Sequence, residues 1–243
     1  MSADVDAVAI VTGAGRGIGR VVAERLSARG YRLGLCSRGA EVRAVAATLG
    51  EHRTMADQVD VSRPDELRRF VDGVAARFGR LDVLVNNAGI NRGATLLDAL
   101  PADLDAMLAT NVRGPFVAMQ AAARHMAACG GGRIVNVASW VGRSPAPGFL
   151  GYAASKAALL SLTRGAAVEL APLGITVNAV CPGNVWTDIW QTATASVRAD
   201  RDVSVRALYE EAVSSQPLAR AVEPDEGADA VLYFCGAGAR SVT

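Results

Sequence analysis

The sequence predicts a doubly wound α/β fold with a mostly parallel sheet in a single domain, and three observations support this prediction. Short apolar runs alternate with longer helical patterns along most of the chain, which is typical of repeated βαβ units. The length of 243 residues suits one large domain. The sequence also lacks a Ser/Pro-rich linker, a block of like charge or an internal repeat at which a second domain would begin.

The elements follow from these patterns in chain order. Six short apolar runs bounded by turn residues are predicted as strands, at residues 7–11, 32–36, 54–59, 81–85, 133–137 and 175–180. Longer segments that often begin at Pro or Ser and end at Gly are predicted as helices, at residues 18–29, 40–49, 64–78, 101–128, 151–171 and 224–235. The segment 182–217 has no strand pattern and only a weak helical one at 205–213, which is typical of a functional or mobile insertion.

Composition and charge exclude several classes of protein. The 51% hydrophobic content is too high for a disordered chain, and no apolar stretch approaches the ~20 residues that span a bilayer. The formal net charge of +1 gives no field that would attract nucleic acid or an anionic membrane. Neither a disulfide framework nor a metal site is expected, because the four cysteines form no Cys-x-x-Cys motif and the two histidines are far apart. The N-terminus lacks the basic region of a secretory signal, so a cytoplasmic location is expected.

A glycine-rich turn, TGAGRGIG at residues 12–19, joins the first predicted strand to the first predicted helix. Glycines let the backbone approach a pyrophosphate, and the helix N-terminus offers it unpaired N–H groups. Such turns also occur as plain connectors, but the strand–turn–helix context favours a dinucleotide site and a Rossmann-type sheet. The spacing is Gly-x-x-x-Gly-x-Gly and not the more usual Gly-x-Gly-x-x-Gly.

Tyr152 and Lys156 are four residues apart in a predicted helix, so their side chains share one face. A nearby cation favours phenolate, and we therefore expect a lowered pKa for Tyr152, as proton exchange with an alkoxide requires. Ser139 follows the fifth predicted strand, where it would donate a hydrogen bond to a reacting carbonyl oxygen. In the competing interpretation Tyr152 is a packed aromatic residue and Lys156 a solvated charge.

The count of basic residues favours the chemical interpretation. Lys156 is the only lysine, whereas the other 24 basic residues are Arg. An ammonium group differs from a guanidinium group in shape, donor geometry and titratability. A sole lysine placed four residues after a tyrosine therefore indicates a role that Arg does not fill.

Taken together, these motifs resemble the classical short-chain dehydrogenase/reductase family over nearly the whole chain. Residues 12–19 are similar to its glycine motif, Asn86-Asn87-Ala88-Gly89 to its second motif and Pro182-Gly183 to the segment after its sixth strand. The resemblance implies a catalytic tetrad of Asn111, Ser139, Tyr152 and Lys156. It also implies that Lys156 bonds the nicotinamide ribose and that Asn111 holds a water linking the lysine to solvent.

Arg38 follows the second predicted strand, at whose end there is no acidic residue. An acid there would bind the ribose 2′-hydroxyl of NAD, whereas Arg accommodates a 2′-phosphate. Arg16, Ser37 and Arg38 are therefore predicted to prefer NADP(H), with NAD(H) as the alternative, although surface arginines are common in this chain. Asp60 and Val61 resemble the family's adenine contact, unless Asp60 is only a turn acid. The predicted cofactor-binding residues are Gly13, Arg16, Gly17, Ile18, Gly19, Ser37, Arg38, Asp60, Val61, Asn87, Ala88, Gly89, Tyr152, Lys156, Pro182, Gly183, Val185 and Thr187.

All three tryptophans lie beside the predicted site. Trp140 directly follows Ser139, and Trp186 and Trp190 belong to the segment 183–217, which is predicted as a substrate lid. With Ser139 they are predicted to line an apolar or aromatic substrate pocket, although tryptophans are often part of the core.

The predicted function is hydride transfer between NADP(H) and a carbonyl or secondary alcohol, most similar to a 3-oxoacyl-thioester or other ketone reductase. The alternatives are an NAD-dependent polyol dehydrogenase and, in another class, a non-catalytic dinucleotide-binding redox sensor. A small-molecule substrate and a homo-oligomer, dimer or tetramer, are expected, without a nucleic-acid or membrane partner. The family has a further strand after the last helix, so either the native chain is longer than residue 243 or it lacks that strand.

Overall fold

In a computed structural model that describes residues 6–187, 190 and 203–243, six strands form one sheet. The strands are β1 (Val8–Thr12), β2 (Arg32–Ser37), β3 (Thr54–Gln58), β4 (Val83–Asn86), β5 (Gly132–Val137) and β6 (Ile175–Val180). Their order is β3-β2-β1-β4-β5-β6, and every adjacent pair is parallel. This order places a topological switch point between β1 and β4 and confirms the predicted doubly wound fold.

The helices begin and end within one residue of the predicted bounds, except that the segment 101–128, predicted as one helix, is divided. They are α1 (Gly17–Ala28), α2 (Glu41–Leu49), α3 (Pro64–Phe78), α4 (Pro101–Leu108), α5 (Gly114–Ala128), α6 (Leu150–Leu170), α7 (Val205–Ser214) and α8 (Pro224–Cys235). Proline starts α3 and α8, where its missing N–H costs no helical hydrogen bond. The left-handed Gly79 ends α3.

The sheet is covered by helices on both faces, which explains why its strands read as continuous apolar runs. On one face, Ile10 and Leu84 of the sheet pack with residues of α3 and α5 such as Val74. On the other face, Leu35 packs with residues of α1 and α8 such as Leu26. Helices on both faces leave the carboxyl ends of the strands as the edge at which a ligand would bind.

The segment predicted as one helix, 101–128, is interrupted by a π-helical turn. Ala109–Arg113 forms this turn between α4 and α5. A π turn inserts an extra residue without breaking the helical course, so the apolar periodicity of the sequence does not reveal it. Asn111 lies within this turn, and its side chain is consequently fixed by an element that the sequence analysis did not predict.

The structure describes only part of the segment predicted as a substrate lid. Most of the predicted lid is described, but residues 188–189 and 191–202 lie outside the described residues.

The C-terminal residues contact the sheet. Asn178 of β6 donates a side-chain hydrogen bond of 2.8 Å to the carbonyl oxygen of Val242. No described helix is long and apolar enough to cross a membrane.

Candidate active site

A cavity of about 1300 Å³ opens at the carboxyl edge of the sheet, beside the switch point between β1 and β4. Most of the predicted site residues line it. From the cofactor set these are Gly13, Arg16, Gly17, Ile18, Ser37, Arg38, Val61, Asn87, Ala88, Gly89, Tyr152, Lys156, Pro182, Gly183, Val185 and Thr187, and from the substrate set Ser139, Trp140, Trp186 and Trp190. Three predicted residues, Gly19, Asp60 and Asn111, do not line this cavity.

Gly19 acts in packing behind the glycine turn. A Cβ atom at Gly19 would lie 2.3 Å from Nδ2 of Asn87, a distance no real contact tolerates. That same Nδ2 donates hydrogen bonds to the backbone oxygens of Thr12 at 3.0 Å and Gly13 at 3.1 Å. The missing side chain therefore lets α1 approach the loop after β4, and the turn forms a cradle that fits a dinucleotide.

The predicted phosphate-binding residues also line the cavity. Arg16, Ser37 and Arg38 all line it, and Ser37 donates a side-chain hydrogen bond of 2.9 Å to the backbone oxygen of Gly39. Two guanidinium groups and a hydroxyl at this position suit the 2′-phosphate of NADP(H).

Asp60 has a structural partner of its own. Its Oδ1 accepts hydrogen bonds from the backbone N of Ser62 at 2.9 Å and from the Ser62 hydroxyl at 2.7 Å. Burial acts to raise the pKa of Asp60, but these bonds and the charges of Arg38 and Arg63 lower it overall. The carboxylate thus shapes the turn before α3, as in the alternative interpretation, and only Val61 of the pair lines the cavity.

The predicted catalytic side chains lie just after β5 and in α6. Ser139 lies two residues after β5, whereas Tyr152 and Lys156 lie in the first two turns of α6. A Cβ atom at Gly142 would lie 2.9 Å from the backbone carbon of Lys156, so glycine lets the segment after Ser139 pack directly on α6. The Nζ atom of Lys156 lies 5.6 Å from the centroid of the Tyr152 ring. The local i, i+4 spacing therefore brings the predicted pair together.

The titration of Tyr152 differs from the sequence expectation. Burial raises its pKa to about 12, and a hydrogen bond with Ser139 only partly opposes this effect. The expected lowering of the pKa is wrong, because burial has the largest effect and the opposing effect comes from Ser139 and not from Lys156. Tyr152 is therefore a neutral phenol at neutral pH and suited to donate a proton.

Lys156 is itself buried, with 3% of its surface exposed. Its Nζ donates a hydrogen bond of 2.8 Å to the backbone oxygen of Val137, the last residue of β5. Burial lowers its pKa to about 8, and the charge of Cys181 acts in the opposite direction. The group is still mostly an ammonium ion at pH 7, so it provides a positive charge beside the phenol.

Asn111 connects the parts of the site. Its Oδ1 accepts from the backbone N of Ile90 at 2.9 Å, and its Nδ2 donates to the Ile90 oxygen at 2.8 Å and to Ser155 Oγ at 3.0 Å. Ser155 in turn donates to the backbone oxygen of Tyr152 at 2.7 Å. Both amide donors are thus used on protein groups, and the side chain ties the loop after β4 to α6.

Part of the cavity wall is aromatic: Trp186, Trp190 and Phe149 line the cavity, whereas Tyr209 of α7 does not. Tyr209 contacts Trp186 edge-on with the ring centroids 4.8 Å apart, and Trp190 likewise at 5.2 Å. Phe149, just before α6, contacts Trp190 at 5.8 Å. The sequence analysis missed Phe149 and Tyr209, because only the fold brings these separate segments together.

Fold and site define the class of the protein. A doubly wound sheet holds a glycine cradle and a Ser–Tyr–Lys group around one cavity, which is the arrangement of an NAD(P)-dependent oxidoreductase acting on CH–OH or keto groups. Residues 7–198 match a family model described as short chain dehydrogenase, and the chain belongs to that family.

Similar proteins are found over nearly the full length. The 3-oxoacyl-[acyl-carrier-protein] reductase FabG of Staphylococcus aureus is 36% identical over 240 residues, covering 97% of this chain and 93% of the relative. A putative ketoacyl reductase of Streptomyces coelicolor is 39% identical over 244 residues, covering 97% and 92%.

Two solved structures extend the likeness to three dimensions. A variant of actinorhodin polyketide ketoreductase, solved with NADPH, has a TM-score of 0.90 and 35% identity, covering 100% of this chain and 95% of its own. Levodione reductase has a TM-score of 0.89 and 32% identity, covering 98% and 93%.

Proposed function

We propose that this protein reduces the keto group of a 3-oxoacyl thioester, or of a related ketone, with NADPH as the reductant. The observation that carries the proposal is the shared cavity, which places Ser139, Tyr152 and Lys156 beside the glycine cradle and Arg38. The similar ketoacyl reductases support the substrate class. The bound nicotinamide would supply the hydride, and the residues of this chain supply binding, orientation and the proton.

Ser139 and Tyr152 act on the substrate oxygen in this proposal. Ser139 donates a hydrogen bond that orients the carbonyl, and Tyr152 gives its proton to the oxygen as negative charge develops there. An alkoxide is a stronger base than a phenolate, so the proton moves readily even from a phenol with a pKa of about 12. The ammonium group of Lys156 then stabilises the phenolate that remains. At neutral pH Tyr152 is therefore in the protonated form that the reduction step requires.

NADP(H) is the proposed cofactor, and the presence of Arg16, Ser37 and Arg38 in the cavity lining supports the binding of a 2′-phosphate. The NADPH bound by the similar ketoreductase supports this choice. Glu41, the first residue of α2, lines the same end of the cavity, so its carboxylate would oppose the phosphate charge. NAD(H) is thus the alternative to be tested beside it.

A paired activity screen tests the function. Purified protein is assayed with NADPH and with NADH on 3-oxoacyl thioesters, cyclic ketones and polyols. Reduction of a thioester or ketone with NADPH supports the proposal, whereas polyol oxidation with NAD alone would replace it by a polyol dehydrogenase. Tight NADPH binding without turnover on any substrate would favour a redox sensor.

We further propose that residues 1–243 act as one catalytic domain whose segment 183–217 covers the substrate. The aromatic contacts that dock α7 on the wall of the cavity support this role. Limited proteolysis with and without NADPH tests it, because a segment that closes over the ligands becomes protected when they bind.

The protein is also proposed to form a dimer or tetramer in the cytoplasm. An apolar groove on α4, α5 and α6, which includes Leu108, Val112, Phe116 and Leu162, supports self-association. Phe116 leaves 43% of its surface exposed there. Light scattering of the wild type and of Phe116→Asp measures the assembly, and fractionation of expressing cells measures the location.

A further inference from the structure

We propose that the side-chain amide of Asn91 binds a second polar group of the substrate, next to the carbonyl that is reduced. This inference rests on the proposed function and defines its substrate class more narrowly: a ketone with a neighbouring hydrogen-bonding group, such as the thioester carbonyl of a 3-oxoacyl thioester.

The side-chain oxygen of Asn91 is buried without a protein partner. The residue lines the cavity, only 2% of its surface is exposed, and its Oδ1 has no hydrogen-bond partner. Three other buried side-chain atoms in the described part of the chain lack a partner, on Arg32, Thr54 and Thr176. Those residues belong to β2, β3 and β6 and do not line the cavity. Of these four unpaired atoms, only the one on Asn91 belongs to a residue that lines the cavity.

An unsatisfied buried amide is costly, and native proteins keep few of them. When such a group lies at a ligand cavity, binding of the ligand can supply the missing hydrogen bond. The oxygen and nitrogen of the amide exchange places by a 180° flip of the side chain, so Asn91 can present either a donor or an acceptor.

The backbone around Asn91 is anchored on both sides. The preceding Ile90 is held by two hydrogen bonds to Asn111, and Arg92 forms an ion pair of 2.7 Å with Asp103. Further on, Ala94 donates a backbone hydrogen bond of 3.0 Å to Gly148, four residues before Tyr152. Asn91 is therefore preorganised between the loop that follows β4 and the segment that leads to the catalytic tyrosine.

Other polar side chains of the cavity wall already have protein partners. Asn184 donates through Nδ2 to the backbone oxygen of Ala212 at 3.0 Å, and Ser215 donates to the same oxygen at 2.8 Å. The Thr95 hydroxyl is bonded to the Asp98 carboxylate. Asn91 thus differs from these neighbours, because its side-chain oxygen has no hydrogen-bond partner.

A 3-oxoacyl thioester has a second carbonyl that the amide of Asn91 could bind. Its second carbonyl lies two carbons from the reacting one. In the flipped amide, Nδ2 of Asn91 takes the position of the unpaired Oδ1 and would donate a hydrogen bond to that carbonyl. A ketone without a second polar group would leave the amide unpaired, and a site built around a buried polar group discriminates against such analogues. Asn91 would therefore orient the substrate as well as select it.

The test compares two probes on Asn91→Leu, an exchange of nearly equal size. We expect kcat/KM for acetoacetyl N-acetylcysteamine thioester to fall about 10- to 100-fold, because a buried hydrogen bond is lost. The value for 2-pentanone should change less than about threefold, and the Kd for NADPH should not change. Equal losses on both probes, or an unchanged thioester value, would overturn the inference. A wild-type protein that reduces no ketone or thioester would instead overturn the proposed function.

Thermal stability separates binding from a structural role. Asn91→Leu should not lower Tm, because it removes an unsatisfied polar group. Asn136→Leu is the matched control: Asn136 is also buried, but it accepts from Asn86 at 2.9 Å and donates to Thr163 at 2.9 Å. Its Tm should fall. A fall of equal size in Asn91→Leu would show that the amide is structural, and Asn91→Ala, assayed in the same way, replaces a leucine variant that fails to fold.

Discussion

The ammonium nitrogen of Lys156 lies 2.8 Å from the backbone oxygen of Val137, and this bond holds the only lysine of the chain against the end of β5. The residue is buried, so the charge is retained at an energetic cost. An apolar side chain in the same place would have a lower desolvation cost. The ammonium group therefore belongs to the site, although it lowers the stability of the fold.

Lys156→Met should abolish turnover and stabilise the fold below pH 8. Burial lowers the pKa of Lys156 to about 8 from 10.5, so the folded protein carries a penalty of about 3 kcal/mol while the group is charged in both states. The unfolded chain keeps its proton up to pH 10.5, and the penalty disappears between pH 8 and that value. Urea unfolding from pH 6 to 10.5 measures the difference between variant and wild type. A difference that does not change with pH would contradict the assigned pKa.

Tyr152→Phe should reduce kcat about 100- to 10,000-fold and leave the Kd for NADPH nearly unchanged, because it removes the proton and little of the shape. In the wild type, reduction should be level from pH 6 to 7 and fall towards pH 9, because Lys156, with a pKa of about 8, loses the charge that stabilises the phenolate, while Tyr152 itself stays protonated. Oxidation of the alcohol product should rise with pH, because it needs the phenolate. Steady-state rates in both directions give these profiles, and a kcat for reduction that is unchanged in Tyr152→Phe would argue against Tyr152 as the donor.

Ser139→Ala should move the rise in alcohol oxidation to higher pH. The hydrogen bond from Ser139 lowers the pKa of Tyr152 against the larger effect of burial, so its loss raises the pKa further. A lower kcat with an unchanged profile would mean that Ser139 acts only on the substrate oxygen.

Local sequence spacing was sufficient for much of the site. The glycine turn and the Tyr152–Lys156 pair each lie within one strand–turn–helix or one helix, so their geometry follows from chain-local rules. Tertiary effects were not predictable in the same way. The direction of the Tyr152 pKa depends on burial, the bonds of Asn111 depend on a π turn, and the unpaired amide of Asn91 depends on what surrounds it.

Arg38→Leu should weaken NADPH binding about 10- to 100-fold and leave NADH binding within about twofold, because it removes a charge-assisted contact to the 2′-phosphate alone. Arg43→Leu is the matched control, since Arg43 is exposed on the neighbouring helix, 3.6 Å from Asp57, and does not line the cavity. Isothermal titration with both cofactors measures the effect. Equal losses of affinity for NADPH and NADH would show that Arg38 contacts a part of the cofactor that both molecules share.

Trp190→Ala should raise KM for the ketone substrate about tenfold with a smaller change in kcat. The Trp190 ring is buried and contacts Phe149 and Tyr209 edge-on, and each such contact is worth about 0.5–1.5 kcal/mol beyond its buried area. Its loss would loosen α7 from the wall that is proposed to hold the apolar part of the substrate, while Ser139 stays in place. Tyr233→Ala is the control, because its edge-on contact with Phe234 lies outside the cavity. NADPH titration of tryptophan fluorescence gives a second readout: an unchanged signal, together with an unchanged KM in Trp190→Ala, would remove the tryptophans from the substrate pocket.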